Sequence, residues 1–408
     1  METGKGAVVG WLAEPAGRHV RWVLAVVLGA AVVRTGMHAP DGGMDNAIVV
    51  RAADAWLAGR SPYADRHFLY LPGAVLAAVP QALLPTAVVR YLVPAGVSAG
   101  LVVGWACALR IHGVAWRSRF AAYGLLALAL GFAPFGHLVQ LGNWTVGSAA
   151  ALPLALLLAC RGRWVAAALV IGAAVAVKPL LAPVVLLFVL ARRWRALAVA
   201  VGVPAVVSVG AALLMPDPAG FFTRTLPFLL RGEDSFVRLY EASPSAVLAR
   251  LGVPQAGATL LAGCAALAGL WCAWRRWERG DAGPARVVDC AVMLMLSAFL
   301  VSRPSYDHYL LVVLPLLLAG ALTPGAVARR PWFWVALVPQ VPGFGWPGLE
   351  PVTRRAFKDA VTLCLLAATA GWACVTGAVA GERGARDGAV PQGRRAAGER
   401  AGEAAGRR

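Results

Sequence analysis

The feature that most constrains this sequence is a long interval without acidic residues. No Asp or Glu occurs between Asp65 and Asp217, and the interval consists of apolar runs separated by short basic turns. Over the whole chain 59% of residues are hydrophobic and 14% are charged, and the mean hydropathy is +0.68. No single water-soluble core could enclose so large an apolar fraction. The sequence therefore predicts an all-α polytopic membrane protein.

Apolar windows of about 15 to 23 residues predict about twelve membrane crossings. Residues 70–85 are apolar too, but Pro72, Pro80 and Pro85 interrupt them. We therefore expect this segment and the rest of the first outer loop to form interfacial helices. If the segment does cross, the count changes by one. The predicted spans cover residues 22–37, 88–109, 120–138, 146–160, 163–177, 180–191, 196–215, 257–274, 286–302, 308–323, 331–347 and 357–379.

Clusters of Arg and Lys follow alternate predicted spans, so they fall on one side of the bundle. By the positive-inside rule that side is the cytoplasm, and the net charge of +18 then reflects orientation and not nucleic-acid binding. Residues 1–380 are predicted to form one integral-membrane domain. Residues 381–408, rich in Gly, Ala, Arg and Glu, are predicted to be a disordered basic tail in the cytoplasm.

Few acidic residues fall on the predicted outer side, and the first outer loop contains Asp41, Asp45, Asp54 and Asp65. Asp45 follows the first predicted span, 22–37, in the first outer loop and begins an amphipathic segment. A carboxylate at the membrane edge can act as a general base, and Asp before such a segment can also cap a helix. Both readings of Asp45 stay open, whereas Asp54 and Asp65 read as solvated loop acids.

Cations at predicted outer ends of spans are candidates for binding phosphate. Lys178 follows an uncharged run and precedes Pro179. An ammonium group there costs free energy unless it reaches the interface or meets an anion, and a lipid phosphate would supply that anion. Arg34 near the outer end of the first span can serve in the same way, or can simply extend to the interface.

Three groups of residues stand out by their order along the chain. They are Asp45 with Ala52-Ala53, Gly59-x-Ser61-Pro62-Tyr63 and Tyr70-x-Pro72; Val177-Lys178-Pro179 with Arg192-Arg193-Trp194-Arg195; and Ser302 with Ser305-Tyr306-Asp307-His308-Tyr309. These groups resemble motifs of glycosyltransferase family 87, the polyprenol-phosphate-mannose-dependent α-mannosyltransferase-like enzymes of the GT-C fold, and the resemblance extends over most of the chain. Val49 stands where members of that family commonly have Tyr, and the usual Gly-Gln-x-Asn turn matches either Gln140 or Asn143.

The resemblance implies a GT-C-type membrane enzyme that uses a polyprenyl phospho-sugar, acts on a hydroxyl of a lipid-linked or cell-wall glycan and inverts the anomeric centre. It implies Asp45 as general base. Candidate residues for binding donor or substrate are then Lys178, His308, Gln140, Asn143, Tyr63 and Arg34. The expected sugar is mannose, with arabinofuranose second.

The lipid of such a donor lies in the bilayer, its phosphate lies at the level of the headgroups, and its sugar projects outward. The active site is therefore expected on the extracytoplasmic side of the cell membrane. The partners expected are the donor, the acceptor glycan and membrane lipid, with no nucleic acid. No cofactor is expected, because the sequence has no nucleotide-binding glycine motif. No metal ion is expected, because no cluster of His and Asp has the spacing of metal ligands. A transporter or lipid flippase is the alternative from another class. That class typically has inverted repeats and acids near the bilayer midplane. A structural subunit or an inactive homologue is a third possibility, because Val49 departs from the family's motif.

Overall fold

The protein is described here by a computed structural model, which covers residues 2–231, 240–279 and 283–388. Over these ranges the chain forms helices and no β-strand, so the predicted all-α class is confirmed. Residues 389–408 of the predicted tail lie outside the described residues. The helices are α1 Glu2–Ala13, α2 Arg18–His38, α3 Met44–Leu57, α4 Pro72–Ala82, α5 Thr86–Ile111, α6 Arg119–Gly131, α7 Ala133–Leu141, α8 Thr145–Cys160, α9 Trp164–Val177, α10 Val185–Leu190, α11 Trp194–Leu213, α12 Leu226–Arg231, α13 Pro244–Arg250, α14 Gln255–Arg279, α15 Pro284–Val301, α16 Leu314–Ala319, α17 Pro331–Leu337 and α18 Pro351–Gly388.

Seven of the predicted spans correspond to helical segments long and apolar enough to cross a membrane. Six are single helices, namely α2, α5, α11, α14, α15 and the part of α18 from Thr353 to Gly377, and α6 with α7 forms a bent seventh. The segments α8, α9 and Pro179–Leu190 are apolar but shorter. The spans predicted at 308–323 and 331–347 consist of short helices, which begin anew at prolines such as Pro315 and Pro331. The number of crossings stays a prediction.

The surface of the bundle carries many large apolar side chains. On α11, Val206 is 73% and Leu213 is 72% exposed, and on α2 Trp22 is 69% exposed. In water, so much exposed apolar surface would favour aggregation. Lipid tails are as apolar as these side chains and accommodate them without cost. The surface therefore agrees with a protein embedded in a bilayer.

The first loop builds a small hydrophobic core of its own, separate from that of the main bundle. This core contains Val49 of α3, Val75 of α4 and Phe68 from the segment between them. Met215, just after α11, is buried in it as well. With 11 residues α4 is about 16 Å long, too short to cross a bilayer. A Cβ atom on Gly73 would lie 2.5 Å from the Ala176 carbonyl oxygen, so α4 contacts the end of α9 through backbone. This contact brings the first loop to the end of α9.

The bent pair of α6 and α7 positions a second part of the site. The chain turns by 73° between the two helices, where Phe132 adopts an extended conformation (φ −124°, ψ 101°) and Pro134 is the second residue of α7. Because of the bend, α7 leaves the direction of α6 and packs against the short 3₁₀ helix Asp307–Val312. The break therefore brings the end of α7 to the turn that follows α15.

Candidate active site

Asp45 lies in the first turn of α3, where a negative charge interacts favourably with the helix dipole. The residue that caps α3 is Gly43, which has φ 110° and makes no side-chain capping bond. Asp45 is therefore not the N-cap of α3, which was the second reading of this residue from the sequence. Its carboxylate instead accepts a hydrogen bond from the side-chain amide of Asn143, in the turn between α7 and α8.

The start of α3 and the turn before α8 are clamped together by two adjacent side-chain contacts. Asn143 donates to Asp45, and the indole N–H of Trp144 donates to Oδ1 of Asn46 at 3.0 Å. Asn46 is fully buried. At Gly142, which has φ 59°, an added Cβ would overlap the carbonyl oxygen of Gly42, so the two loops also meet backbone to backbone. The position of Asp45 is thus fixed by the fold and not by a flexible loop.

Lys178 is the C-cap residue of α9, between two apolar helices. Its Nζ donates to Oδ1 of Asn143 at 3.1 Å and to Oγ1 of Thr145 at 2.8 Å. The same ammonium lies 5.3 Å from the ring centroid of Tyr70 and 5.1 Å from that of Tyr309, which are cation–π distances. Burial lowers the pKa of the Lys178 ammonium to about 8, although the nearby Asp45 carboxylate opposes the shift.

Two concave spaces meet at Asn143 and Lys178. A cavity of about 380 Å³ has charged side chains in a mostly apolar wall and is called the polar cavity below, and an apolar groove of about 620 Å³ runs along α5, α8 and α9. Asn143 and Lys178 line both spaces, whereas Asp45 lines the polar cavity and not the groove. Other polar and aromatic residues of the cavity are His67, Tyr70, Phe299, Ser302, Arg303, Tyr306 and Tyr309.

The turn after α15 presents tyrosines to the cavity and directs its histidine elsewhere. In a 3₁₀ helix residues three apart lie on the same face. Tyr306 is the N-cap of the 3₁₀ helix, Tyr309 follows three positions later, and both line the cavity. His308 is 2% exposed, is not among the residues of the cavity wall, and stacks on Tyr306 with ring centroids 5.5 Å apart. The structure thus brings Asp45 and Lys178 together with this turn, but through its tyrosines.

Asp307 holds this turn against two other helices. Its carboxylate accepts from the backbone N–H of His308 at 2.7 Å, contacts the His137 ring of α7, and lies 3.5 Å from Nη2 of Arg355 in α18. Burial by itself would raise the pKa of the Asp307 carboxyl, but the hydrogen bonds with the two histidines reverse this and hold the pKa below its ordinary value. Asp307 therefore stays a carboxylate, and its role here is to fix the backbone beneath Tyr306 and Tyr309.

Three other candidates from the sequence lie outside the cavity. Gln140 is exposed at the end of α7, and Arg34 is exposed near the end of α2. Tyr63 is 2% exposed and packs on Phe68 and Phe221 in the core of the first loop. Of the two possible counterparts of the family's amide turn, Asn143 is thus the one that reaches Asp45 and Lys178.

Several residues of the site carried no clear signal in the sequence. Thr145 is an ordinary helix-start residue until Lys178 is seen to donate to it. Tyr70 and Tyr309 belong to the motifs quoted above, yet only the structure places both rings beside one ammonium. His137 contacts Asp307 across 170 positions of the sequence and could not have been singled out from its apolar surroundings.

Comparison with known proteins identifies one family model and several curated relatives that are similar to this chain. The model of glycosyltransferase family 87 matches residues 68–302, which include Asn143 and Lys178 but neither Asp45 nor Asp307. An alpha-(1->3)-arabinofuranosyltransferase of Mycobacterium tuberculosis (strain CDC 1551 / Oshkosh) is 32% identical over 284 residues, which are 67% of this chain and 63% of that protein. A protein of the same name from Mycolicibacterium smegmatis is 29% identical, over 67% of this chain and 64% of its own length.

The chain therefore spans less than two thirds of the length of these relatives. No solved structure matches the chain. The family model, however, covers more than half of the sequence, and it includes the turn with Asn143 and the end of α9 with Lys178. On this evidence the chain belongs to glycosyltransferase family 87.

Proposed function

We propose that this protein transfers a sugar from a polyprenyl phospho-sugar to a hydroxyl group of a lipid-linked or cell-wall glycan. The observation that carries the proposal is the position of Lys178 and Asn143 at the junction of an apolar groove and a polar cavity. A molecule with an apolar chain, a phosphate and a sugar fits these three environments in that order. The chain would lie in the groove, the phosphate at Lys178 and the sugar beside Asp45.

The chemistry follows from the charges at the junction. Asp45 takes the proton of the acceptor hydroxyl while the acceptor oxygen bonds to the anomeric carbon. The bond from that carbon to the phosphate oxygen breaks, and polyprenyl phosphate leaves with the electron pair. The Lys178 ammonium stabilises the negative charge on the leaving phosphate. Attack and departure on opposite faces invert the anomeric centre, so a β-linked donor gives an α-linked product.

The sugar is best supported as arabinofuranose, with mannose second. The sequence motifs alone favoured mannose, but the curated relatives at 32% and 29% identity are named as arabinofuranosyltransferases. The rings of Tyr70, Tyr306 and Tyr309 give the cavity aromatic faces, which suit the apolar face of either sugar. The positive-inside rule supports an extracytoplasmic site, since Lys178 lies at the end of α9 and the basic residues Arg161 and Arg163 lie just before its start.

The direct test is transfer by the purified protein. The protein in nanodiscs is incubated with polyprenyl phospho-arabinofuranose or polyprenyl phospho-mannose and with short arabinan or mannan acceptors, and products are scored by mass. We expect product with the arabinofuranosyl donor. Product with the mannosyl donor alone would contradict the choice of sugar, and no product with either donor would contradict the proposed function.

A second prediction concerns the pH dependence of donor use. Since the pKa of Lys178 is lowered to about 8, its positive charge is present below that pH and is lost as pH rises through it. We expect the KM for the donor to rise about tenfold per pH unit above this point. In Lys178→Arg the charge persists at all these pH values, because Arg does not deprotonate in proteins. Initial rates between pH 6 and 10 check this, and equal slopes for the two proteins would contradict it.

A further inference from the structure

The orientation of the Asn143 amide is determined by its partners. The side chain is 4% exposed. The backbone N–H of Thr145 donates to one end of the amide at 2.8 Å, and Lys178 Nζ approaches the same atom at 3.1 Å. A backbone N–H can only donate, so this atom must be the carbonyl oxygen Oδ1. The amide nitrogen is consequently directed at the Asp45 carboxylate, to which it donates.

The amide therefore stands between two opposite charges. Asp45 and Lys178 each contact Asn143, and within the described chain no ion pair of 4.0 Å or less joins them to each other. The two groups are nevertheless close enough for the Asp45 charge to raise the pKa of the Lys178 ammonium. Lysine is flexible and its ammonium is a strong partner for a carboxylate. With the amide removed, the two groups can meet directly.

Direct contact would impair both groups in the transfer reaction. A carboxylate that accepts from an ammonium is a weaker base for the hydroxyl of the acceptor. An ammonium neutralised by that carboxylate attracts the donor phosphate less strongly. The fold holds the amide rigidly in place of such an ion pair, through the bond from the Thr145 backbone N–H and the backbone contact at Gly142.

We propose that Asn143 is a positioning residue that keeps the Asp45 carboxylate and the Lys178 ammonium apart, leaving one free for the acceptor proton and the other for the donor phosphate. The proposal rests on the proposed function for its catalytic meaning. Its geometric content is independent of activity, since it states which charges touch. Removal of the amide then draws Lys178 onto Asp45.

The charge on Lys178 can be followed without any substrate. The chain has three lysines, Lys5, Lys178 and Lys358, so acylation by acetic anhydride can be measured at each by mass spectrometry. Only the neutral amine reacts, so the pH at half-maximal labelling reports the charge of Lys178. Its surroundings contain the Asp45 carboxylate, the phenols of the tyrosines at 70, 306 and 309, and the side chains of His67 and Arg303 in the same cavity.

In Asn143→Ala we expect the labelling midpoint of Lys178 to move up by about one pH unit or more, because a directly paired carboxylate favours the charged amine. Asn143→Ser should give the same shift, and its hydroxyl can still accept from the backbone of the turn if the alanine variant folds poorly. Asp45→Asn should move the midpoint down, because the opposing charge is gone. Lys358 serves as the internal reference.

Trp144→Phe is the matched control. It removes the bond to Asn46 and should lower the melting temperature, but it leaves the amide between the charges and should not move the midpoint. We also expect kcat to fall at least about tenfold in Asn143→Ala. A midpoint in both Asn143 variants equal to that of Trp144→Phe would overturn the proposal. Transfer retained by Asp45→Asn would instead remove Asp45 as the base, and with it the catalytic meaning of the separation.

Discussion

Replacement of Asp45 by Asn is expected to lower the rate of sugar transfer by roughly 10²- to 10⁴-fold, the usual contribution of a general base. Asn has the shape of Asp and can still accept the hydrogen bond from Asn143, so the clamp between α3 and the turn before α8 should persist. An amide oxygen does not take a proton near neutral pH. The loss should therefore appear in kcat, with little change in the melting temperature.

Asp54 provides the matched control for this variant. It lies on the same helix α3, but its side chain is exposed and does not line the cavity. Asp54→Asn removes the same charge from the same helix and should keep the wild-type rate. Initial rates at saturating donor, with melting temperatures of all three proteins, make the comparison. A wild-type rate in Asp45→Asn would exclude a base at this position.

The sequence predicted the meeting of three distant turns better than it predicted their side chains. The sequence assigned Asp45, Lys178 and His308 to one active site, and the structure brings Asp45 and Lys178 to one cavity with the turn at 302–309. The expectation came from the order of motifs along the chain and from the alternation of spans. Both are properties of topology, which apolar runs and basic turns encode over long stretches.

Side-chain direction depended on local geometry that the apolar pattern does not encode. The 3₁₀ form of Asp307–Val312 places Tyr306 and Tyr309 on the cavity and turns His308 away from it. An α-helix at the same place would have presented a different set of side chains to the cavity. Similarly, the left-handed conformation at Gly142 separates Gln140 from Asn143, so only the second amide reaches the site.

Span lengths were also beyond the reach of the sequence alone. The predicted crossing at 120–138 proved to be two helices with a 73° bend, because Phe132 is extended and Pro134 is the second residue of a new helix. Hydropathy averages over this break and does not register it. The bend matters for the site, since it carries His137 to Asp307. A contact of this kind between remote segments requires the folded chain.

Substitution of Gly142 by Ala is expected to disable the site without touching any reacting group. Gly142 has φ 59° and ψ 34°, where an alanine costs about 1 to 2 kcal/mol. Its Cβ would in addition overlap the carbonyl oxygen of Gly42, so the two loops must separate. Asn143 moves with its neighbour, and a displacement of about 1 Å can cost roughly 100-fold in rate. We expect such a loss in kcat together with a lower melting temperature.

Gly59→Ala separates the effect of strain from the effect of contact. Gly59 has φ 69°, and among the described residues no atom beyond its two chain neighbours lies within 4 Å of the position that a Cβ would take. This variant therefore has the same backbone strain and should lose a similar 1 to 2 kcal/mol or less, with the transfer rate unchanged. Rates and melting temperatures of the two alanine variants are compared in the same nanodiscs. If both variants transfer sugar at the wild-type rate, the loops of Gly42 and Gly142 do not hold Asp45 and Asn143 together, because the overlap would then have had no consequence for the base.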